Sequence, residues 1–455
     1  MNKRFSCYFL PILKYLTIIF SICSYKLKDP NKNVNYYNHL LFCPLKNMNT
    51  HLLFTNIFNV PLGDSFVYLL AMLCAFMIVV YAIPGILLVA LKKRLVDKPD
   101  FRKKHKKVTP SFGGLAMYSA IIFVTSVFDL DNFFPHWNFV VAGSFLLFVT
   151  GLKDDVVAIS PKSKFAAQFI ASFLVVYFAG IRIGNLHGFL GIHDLPNWLS
   201  IILTTIGITF VTNAYNLIDG VDGLCGSLCL TDTLLLGVYF GYMGDQGYAL
   251  ASFTISGAIL GFLKYNKNPA RIFMGDTGSL ILGFLICILS VAIVEETNLH
   301  RNGTPLSYYA GKEHLALALA MVMVPVFDTF RVFTTRIIHK TSPFKPDRRH
   351  IHHILGDSGM NANQICITLV LTSLFFVFVT VVFSMMDMNA TLIILFQLFM
   401  AVGLLLVALR KRNMYFLKLK DKAETTTYEK NNALTLNENG SPMHSASEAH
   451  TSHQN

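Results

Sequence analysis

The chain has 455 residues, of which 53% are hydrophobic and only 14% charged, which excludes an ordinary soluble globular protein and makes it a polytopic membrane protein. The formal net charge of +12 does not point to nucleic acid, because Lys and Arg cluster in a few loops between apolar runs, the pattern of the positive-inside rule. The eight Cys occur singly, several inside apolar runs (Cys74, Cys229, Cys287), without CxxC or Cys/His metal spacing, and read as small core residues.

Residues 1–60 read as an N-terminal extension. An apolar stretch at 7–25 is interrupted by Lys14, and an Asn-rich irregular stretch follows. It is readable as a signal-like segment, an extra span, or sequence upstream of a start at Met48. A membrane-embedded domain is expected over 61–412, with apolar runs at 66–91, 113–130, 138–152, 165–183, 198–217, 227–243, 247–264, 279–294, 314–333, 363–385 and 390–409. The expected fold is therefore all-α, with about eleven transmembrane helices. Several runs are shorter than the ~20 residues of an untilted span, so their borders should extend into polar sequence.

Nine Lys and Arg between Lys92 and Lys107 set the first connection on the cytoplasmic side. Alternation then places 153–164, 218–226, 265–278 and 334–362 on the same side, while the opposite connections 131–137, 184–197 and 386–389 hold no Lys or Arg. Arg301 and Lys312 in 295–313 blur the asymmetry. The tail, 413–455, is expected to be cytoplasmic and without regular structure, since Thr, Asn, Ser and His dominate beyond Ala423.

Five polar islands fall on the inferred cytoplasmic face. The first, Asp97 to Gly114, reads DKPDFRKKHKKVTPSFGG, and on charge alone is a topology anchor with a Pro/Gly turn. The second, GLKDD at 151–155, sets two carboxylates side by side, which repel unless a cation or shared proton intervenes. The third, NAYNLIDGVDGL at 213–224, carries Asn213, Asn216 and Asp219 at i, i+3 and i+6 on adjoining parts of one helical face if the helix continues that far. Gly220 and Gly223 then allow a turn that brings Asp222 toward Asp219, a pocket of hard oxygens suited to Mg²⁺ or Mn²⁺. The bland reading is a helix end followed by an Asp/Gly turn. The fourth, KYNKNPARIFMGDTGS at 264–279, flanks Asp276 with Gly275 and Gly278 before a new helix, where backbone N–H groups can seat an anionic oxygen; a plain N-cap is the simpler alternative. The fifth, DRRHIHH at 347–353, offers three His and two Arg to phosphate oxygens. A zinc site competes there, disfavoured by the HIHH spacing and the absence of HExxH.

Taken in order, these motifs resemble those of the polyprenyl-phosphate N-acetylhexosamine-1-phosphate transferases, over about Lys92 to His353. HIHH resembles the bacterial undecaprenyl-phosphate GlcNAc-1-phosphate transferase branch; Ile351 interrupts the three consecutive His of the related phospho-MurNAc-pentapeptide transferases of peptidoglycan synthesis, which remain an alternative. The resemblance implies a cytoplasmic cleft, Mg²⁺ dependence, and a catalytic set of Asp154, Asp155, Arg349, His350, His352 and His353. It implies Asp276 with Asn216 as metal ligands, and a substrate-binding set of Asn213, Asp219, Asp222, Phe273, Asn268 and His105, with Phe273 and Asp222 near the uracil.

The implied reaction joins a UDP-N-acetylhexosamine to undecaprenyl phosphate with release of UMP, at the bacterial inner membrane and as the first membrane step of a cell-envelope polysaccharide such as a lipopolysaccharide. The oligomeric state stays open, a homodimer among the options. From another class, the competing reading is a transporter for a phosphorylated solute, which usually sets its charges near the bilayer midplane rather than at span ends.

Overall fold

The computed structural model describes residues 63–93, 109–128, 130, 134, 136–295, 314–342 and 348–438. The extension before Gly63, His105 and most of the basic loop, and the blurring connection with Arg301 and Lys312 lie outside the described residues.

Twelve helices are described. They are α1 (Asp64–Lys92), α2 (Gly113–Val127), α3 (Trp137–Val156), α4 (Pro161–Leu174), α5 (Asn197–Ile218), α6 (Leu224–Met243), α7 (Gln246–Asn266), α8 (Gly275–Glu295), α9 (His314–Ile338), α10 (Ile351–Asp357), α11 (Ala362–Met385) and α12 (Ala390–Glu438). Every apolar run has its helix, and α10 is a short addition carrying the histidines. Eight of them (α1, α5 to α9, α11 and α12) are long and apolar enough to cross a membrane, and α2 is a shorter apolar helix.

Local chemistry marks the ends. Ser160 accepts from the backbone N–H of Ser163 at 3.2 Å ahead of Pro161 at the start of α4. Asn361 and Gln364 form a reciprocal capping box on α11. After α4 one π-helical turn, Val175–Ala179, ends at Gly180. A small hairpin departs from the purely helical expectation: Asn185–Phe189 (β1) pairs antiparallel with Ile192–Asp194 (β2). Its turn places Leu190 and Gly191 at positive φ, the geometry of tight hairpins.

The sequence Gly278 to Val294 is apolar on all sides of its helix, and such a helix must be enclosed; α8 is buried along its length between α2, α3, α5, α6 and α9. Its C-terminal end meets the hairpin, where Gly184 N donates to Glu295 Oε1 at 2.6 Å and the His187 ring contacts the Val294 carbonyl at 3.0 Å. Its N-terminal end carries Asp276 and gathers the polar islands, so hairpin and islands occupy opposite ends.

The tail differs from expectation. α12 runs on through Arg410 to Glu438, so residues 413–438 are helical. Lys, Leu, Ala and Glu are good helix formers, and Lys420 pairs with Glu424 one turn on, which supports an exposed helix beyond the contact of Tyr415 with Gly359.

Close backbone approach joins α1 to α7: a Cβ on Gly257 would lie 2.1 Å from the Met72 carbonyl oxygen. Gly257→Ala should therefore lower the thermal midpoint of the detergent-purified protein, by ~1–3 kcal/mol of overpacking. Gly207→Ala, with open space around it, should leave the midpoint unchanged or raise it.

Candidate active site

The site is built on the first turn of α8. Its N–H groups have no intrahelical partners, and the carboxylate of Asp155, at the end of α3, supplies them. Asp276 N donates to Asp155 Oδ1 at 2.7 Å, while Thr277 N and Oγ1 donate to Oδ2 at 3.1 and 2.5 Å. Gly275, at φ +74, leaves room for this carboxylate, since a Cβ there would lie 2.6 Å from it. Gly114 and Gly151 allow α2 and α3 to press against the same turn, where Cβ atoms would meet Gly278 and Thr277 backbone at 2.2 and 2.5 Å. The end of the first island joins it: Phe273 N donates to the Pro110 carbonyl at 2.8 Å, and Gly113 N to that of Phe273 at 2.9 Å.

The two carboxylates of KDD thus separate. Asp155 is consumed as a cap, whereas Asp154 accepts from Ile159 N at 2.6 Å and pairs with the Lys164 ammonium at 2.9 Å. Lys164, on the second turn of α4, also pairs with Asp276 and lies 3.4 Å from Asn216 Oδ1. Asn216 in turn donates to Asp276 Oδ1 at 2.7 Å and Ser279 Oγ at 2.9 Å. Oxygens of Asp154, Asn216 and Asp276 therefore converge on one ammonium.

The NAYNLIDGVDGL segment closes one side. α5 ends at Ile218, so Asp219 sits just beyond the helix rather than on its face, and Asn213 is buried one turn before Asn216. Desolvation, and then the negative charges of Asp276, Asp155 and Asp222, push the Asp219 carboxyl up to about 7. Asp222 accepts from Ala270 N at 3.1 Å, and Asn266 bridges Gly223 N and the Ile272 carbonyl, so the turn and the 266–273 loop form one unit. Phe273 is half-buried and Asn268 exposed on that loop.

The histidine segment closes the other side. Its anchor is Asp328 of α9, which accepts from His350 Nδ1 and Ile351 N, each at 2.9 Å, and from Arg331 at 2.7 Å; Arg331 also donates to the Arg349 carbonyl at 2.5 Å. His352 presses its Nε2 edge against the DG turn: a Cβ on Gly220 would fall 2.4 Å from Nε2. Its other ring nitrogen is buried without a partner. Burial, reinforced by His353, lowers the His352 imidazole to about 3, and burial followed by the charge of Arg348 lowers His353, so both rings are neutral at pH 7. Such rings donate a hydrogen bond to an anion rather than a full charge.

All five islands are thus linked, the first through its described end. Lys164, Asp328 and Arg331 belong to the site as well, although the sequence reading passed over them. Asp328 and Arg331 were visible as two charges at i, i+3 inside an apolar run. Lys164 carried no comparable signal among the other basic loop residues.

The donor set decides which cation fits. Among the described residues no grouping of three or more His, Cys, Asp or Glu could hold a metal by itself. What is present is a hard-oxygen set, Asp154, Asn216 and Asp276, around the Lys164 ammonium, with the carboxylates of Asp155, Asp219 and Asp222 nearby. That chemistry suits Mg²⁺ or Mn²⁺ and not zinc. His350 Nδ1 is already committed to Asp328, so the three histidines do not converge on one ion.

Comparison with known proteins identifies the family. The model of glycosyl transferase family 4 matches residues 137–294, which carry Asp154, Lys164, Asn216 and Asp276. A Bacillus subtilis (strain 168) protein named "Probable undecaprenyl-phosphate N-acetylglucosaminyl 1-phosphate transferase" is 30% identical over 332 residues, 72% of this chain and 88% of its own. The undecaprenyl-phosphate alpha-N-acetylglucosaminyl 1-phosphate transferase of Salmonella typhi is 30% identical over 321 residues, 68% and 83% of the two chains. That of Escherichia coli (strain K12) is 29% identical over 293 residues, 63% and 75%. With the polar islands assembled around α8 and relatives matched over most of their length, the chain belongs to the family of undecaprenyl-phosphate N-acetylglucosaminyl 1-phosphate transferases.

Proposed function

We propose that the protein transfers N-acetylglucosamine 1-phosphate from UDP-N-acetylglucosamine to undecaprenyl phosphate, releasing UMP, in a cleft on the cytoplasmic side of a bacterial inner membrane crossed by about eleven helices. The observation that carries the reading is the convergence of Asp154, Asn216 and Asp276 on one cationic point at the N-terminus of α8, faced by the His350–His353 segment across the Asp219–Gly220 turn. A transporter would set such groups near mid-helix, whereas these stand at helix ends.

Two negatively charged substrates must meet here, so charge neutralisation is the first requirement. Asp276, Asn216 and Asp154 would hold Mg²⁺, which supplies charge compensation for the diphosphate when bound. Lys164 balances the same carboxylates and can pass its ammonium to an incoming phosphate oxygen. His352, neutral, donates a hydrogen bond to a diphosphate oxygen on the other side of the turn, with Arg349 and His353 beside it. Phe273 and Asp222 fit the uracil end, on the loop that Asp222 itself pins.

The acceptor needs little activation, because a phosphate monoester has a second pKa near ~6 and is mostly a dianion at pH 7. An acceptor oxygen forms a bond to the sugar-linked phosphorus as the bond from that phosphorus to the UMP oxygen breaks. Asp155 has both oxygens engaged by the first turn of α8, which favours a structural role over attack on phosphorus and so direct displacement over an aspartyl-phosphate route at this residue. Asp154 is then the carboxylate that orients the acceptor through Lys164.

Purified protein with radiolabelled UDP-N-acetylglucosamine, undecaprenyl phosphate and Mg²⁺ should give UMP and a lipid-extractable label, and chelation should stop both. Asp276→Asn should cut kcat by at least ~10²-fold while leaving the melting midpoint in place, the size expected for loss of an electrostatic stabiliser; unchanged turnover would remove Asp276 from the site.

Lys164→Met keeps the length and removes the charge. It should raise the KM for the lipid phosphate and lower kcat, and a variant with wild-type kinetics would assign the ammonium a structural role only.

Gly220→Ala drives a methyl into the His352 ring. Turnover should fall by about 10²-fold, the scale of a 1 Å misplacement of a catalytic group, with little change in expression or detergent stability. Combining it with His352→Ala, which vacates the space, should cost no more than His352→Ala alone.

A further inference from the structure

A chamber of about 250 Å³ lies away from the carboxylates, between α9, α11 and α12. Its walls are apolar, with Met323 and Phe327 from α9, Leu369 and Phe376 from α11, and Leu404 and Leu405 from α12. Asp328, Arg331 and Lys411 are its charged lining residues. The chamber adjoins a more polar recess of about 380 Å³ lined by Ser358, Gln364 and the shared residues Met360, Thr368 and Lys411. The gap is held open by fixed points on either side along α12. Gln397, fully buried, donates to the Ala316 carbonyl at 3.0 Å and to Thr380 Oγ1 at 2.7 Å. Further along, Tyr415 closes over Gly359, where a Cβ would sit 2.7 Å from its ring.

We propose that this chamber binds one anionic phospholipid, with an acyl chain between α9, α11 and α12 and its phosphate on Lys411, and that its occupancy braces the histidine helix α10. Arg331 is paired with Asp328, so exposed Lys411 is the cation that apolar walls of this kind offer to a charged head, and basic pockets between membrane helices are recognised sites for acidic lipids. Arg331, in the chamber wall, keeps a buried Nε without a hydrogen-bond partner.

The reacting polyprenyl phosphate does not fit this place. No residue of α3, α4, α5 or α8, the helices that assemble the carboxylate cluster, lines the chamber. The volume suits part of one acyl chain rather than an undecaprenyl tail. The coupling to α10 comes from shared walls: Ile351 and Leu355 of α10 line the chamber, as do Asp328 and Arg331, which hold His350 and the Arg349 carbonyl.

The test uses the full chain in nanodiscs of phosphatidylcholine with and without phosphatidylglycerol, read by native mass spectrometry of retained lipid and by hydrogen exchange of residues 350–357. Leu405→Trp fills the apolar chamber, and Lys411→Gln, at an exposed position that folding does not depend on, removes the head-group charge. The wild type should retain one phosphatidylglycerol per chain in preference to phosphatidylcholine and show slowed exchange in α10. Lys411→Gln should weaken retention about fivefold, the equivalent of the ~1 kcal/mol of one basic residue at an anionic membrane surface. Leu405→Trp should abolish both effects. Equal retention of the two phospholipids, unchanged retention in Lys411→Gln, or one-for-one displacement of phosphatidylglycerol by undecaprenyl phosphate would overturn the proposal, the last by giving the chamber to the acceptor's tail. None of these readouts needs turnover, so failure here leaves the proposed transfer reaction standing.

Discussion

The constraint on which the rest depends is the start of a helix enclosed on every side. The first N–H groups of α8 have no partners within the helix, and leaving them unpaired in a largely buried place would be costly. Asp155 answers from another helix, more than a hundred residues away in sequence, with both oxygens engaged. Once that cap is set, the positions of its neighbours follow. Asp154 is turned to the other side of α3, Asp276 is fixed in the first turn, and Gly114 and Gly151 admit the two flanking helices. The positive end of the α8 dipole adds to the attraction for anions at the same spot.

Around this fixed point the charges are arranged in opposition. Burial, and then the neighbouring carboxylates, raise Asp219 on one side, and a single ammonium holds Asp154 and Asp276 together. His352 and His353 opposite are kept neutral by burial, and the segment is held at its root by the Asp328–Arg331 ion pair and the His350 hydrogen bond to Asp328. Positive charge is thereby stationed behind the imidazoles, leaving them as hydrogen-bond donors whose orientation is set by packing against Gly220. A site of this kind binds through placement more than through net charge, which suits two anionic partners that repel one another.

Much of this was legible in the sequence because bilayer chemistry writes long apolar runs, and because five polar islands stand out against them. The helices and the DG turn follow from hydropathy and Gly placement, and Asp276 was marked by the glycines that flank it before a new helix. The division of labour between Asp154 and Asp155 was not legible, since adjacent residues look equivalent until a third helix arrives to take one of them. Lys164 was hidden for a related reason: its partners on α3, α5 and α8 are brought to it only by packing. Asp328 and Arg331 were readable as charges inside an apolar run but without a partner in view. The helical state of 413–438 was missed because a polar composition argues against a core and does not argue against a solvated helix.

That last helix has a mechanical implication. At ~1.5 Å per residue, the 49 residues of α12 extend ~74 Å, while the hydrocarbon layer of a bilayer is only ~30 Å thick. More than half of the rod therefore stands clear of the oily layer unless it tilts steeply, and it contains no proline to hinge it. Tyr415, resting on Gly359 beside the histidine helix, lies near the fulcrum of this rod. A load applied to its distal end would act with a long arm on the segment that carries His352, so the part of the chain with the plainest composition has the greatest leverage on the most finely placed ring.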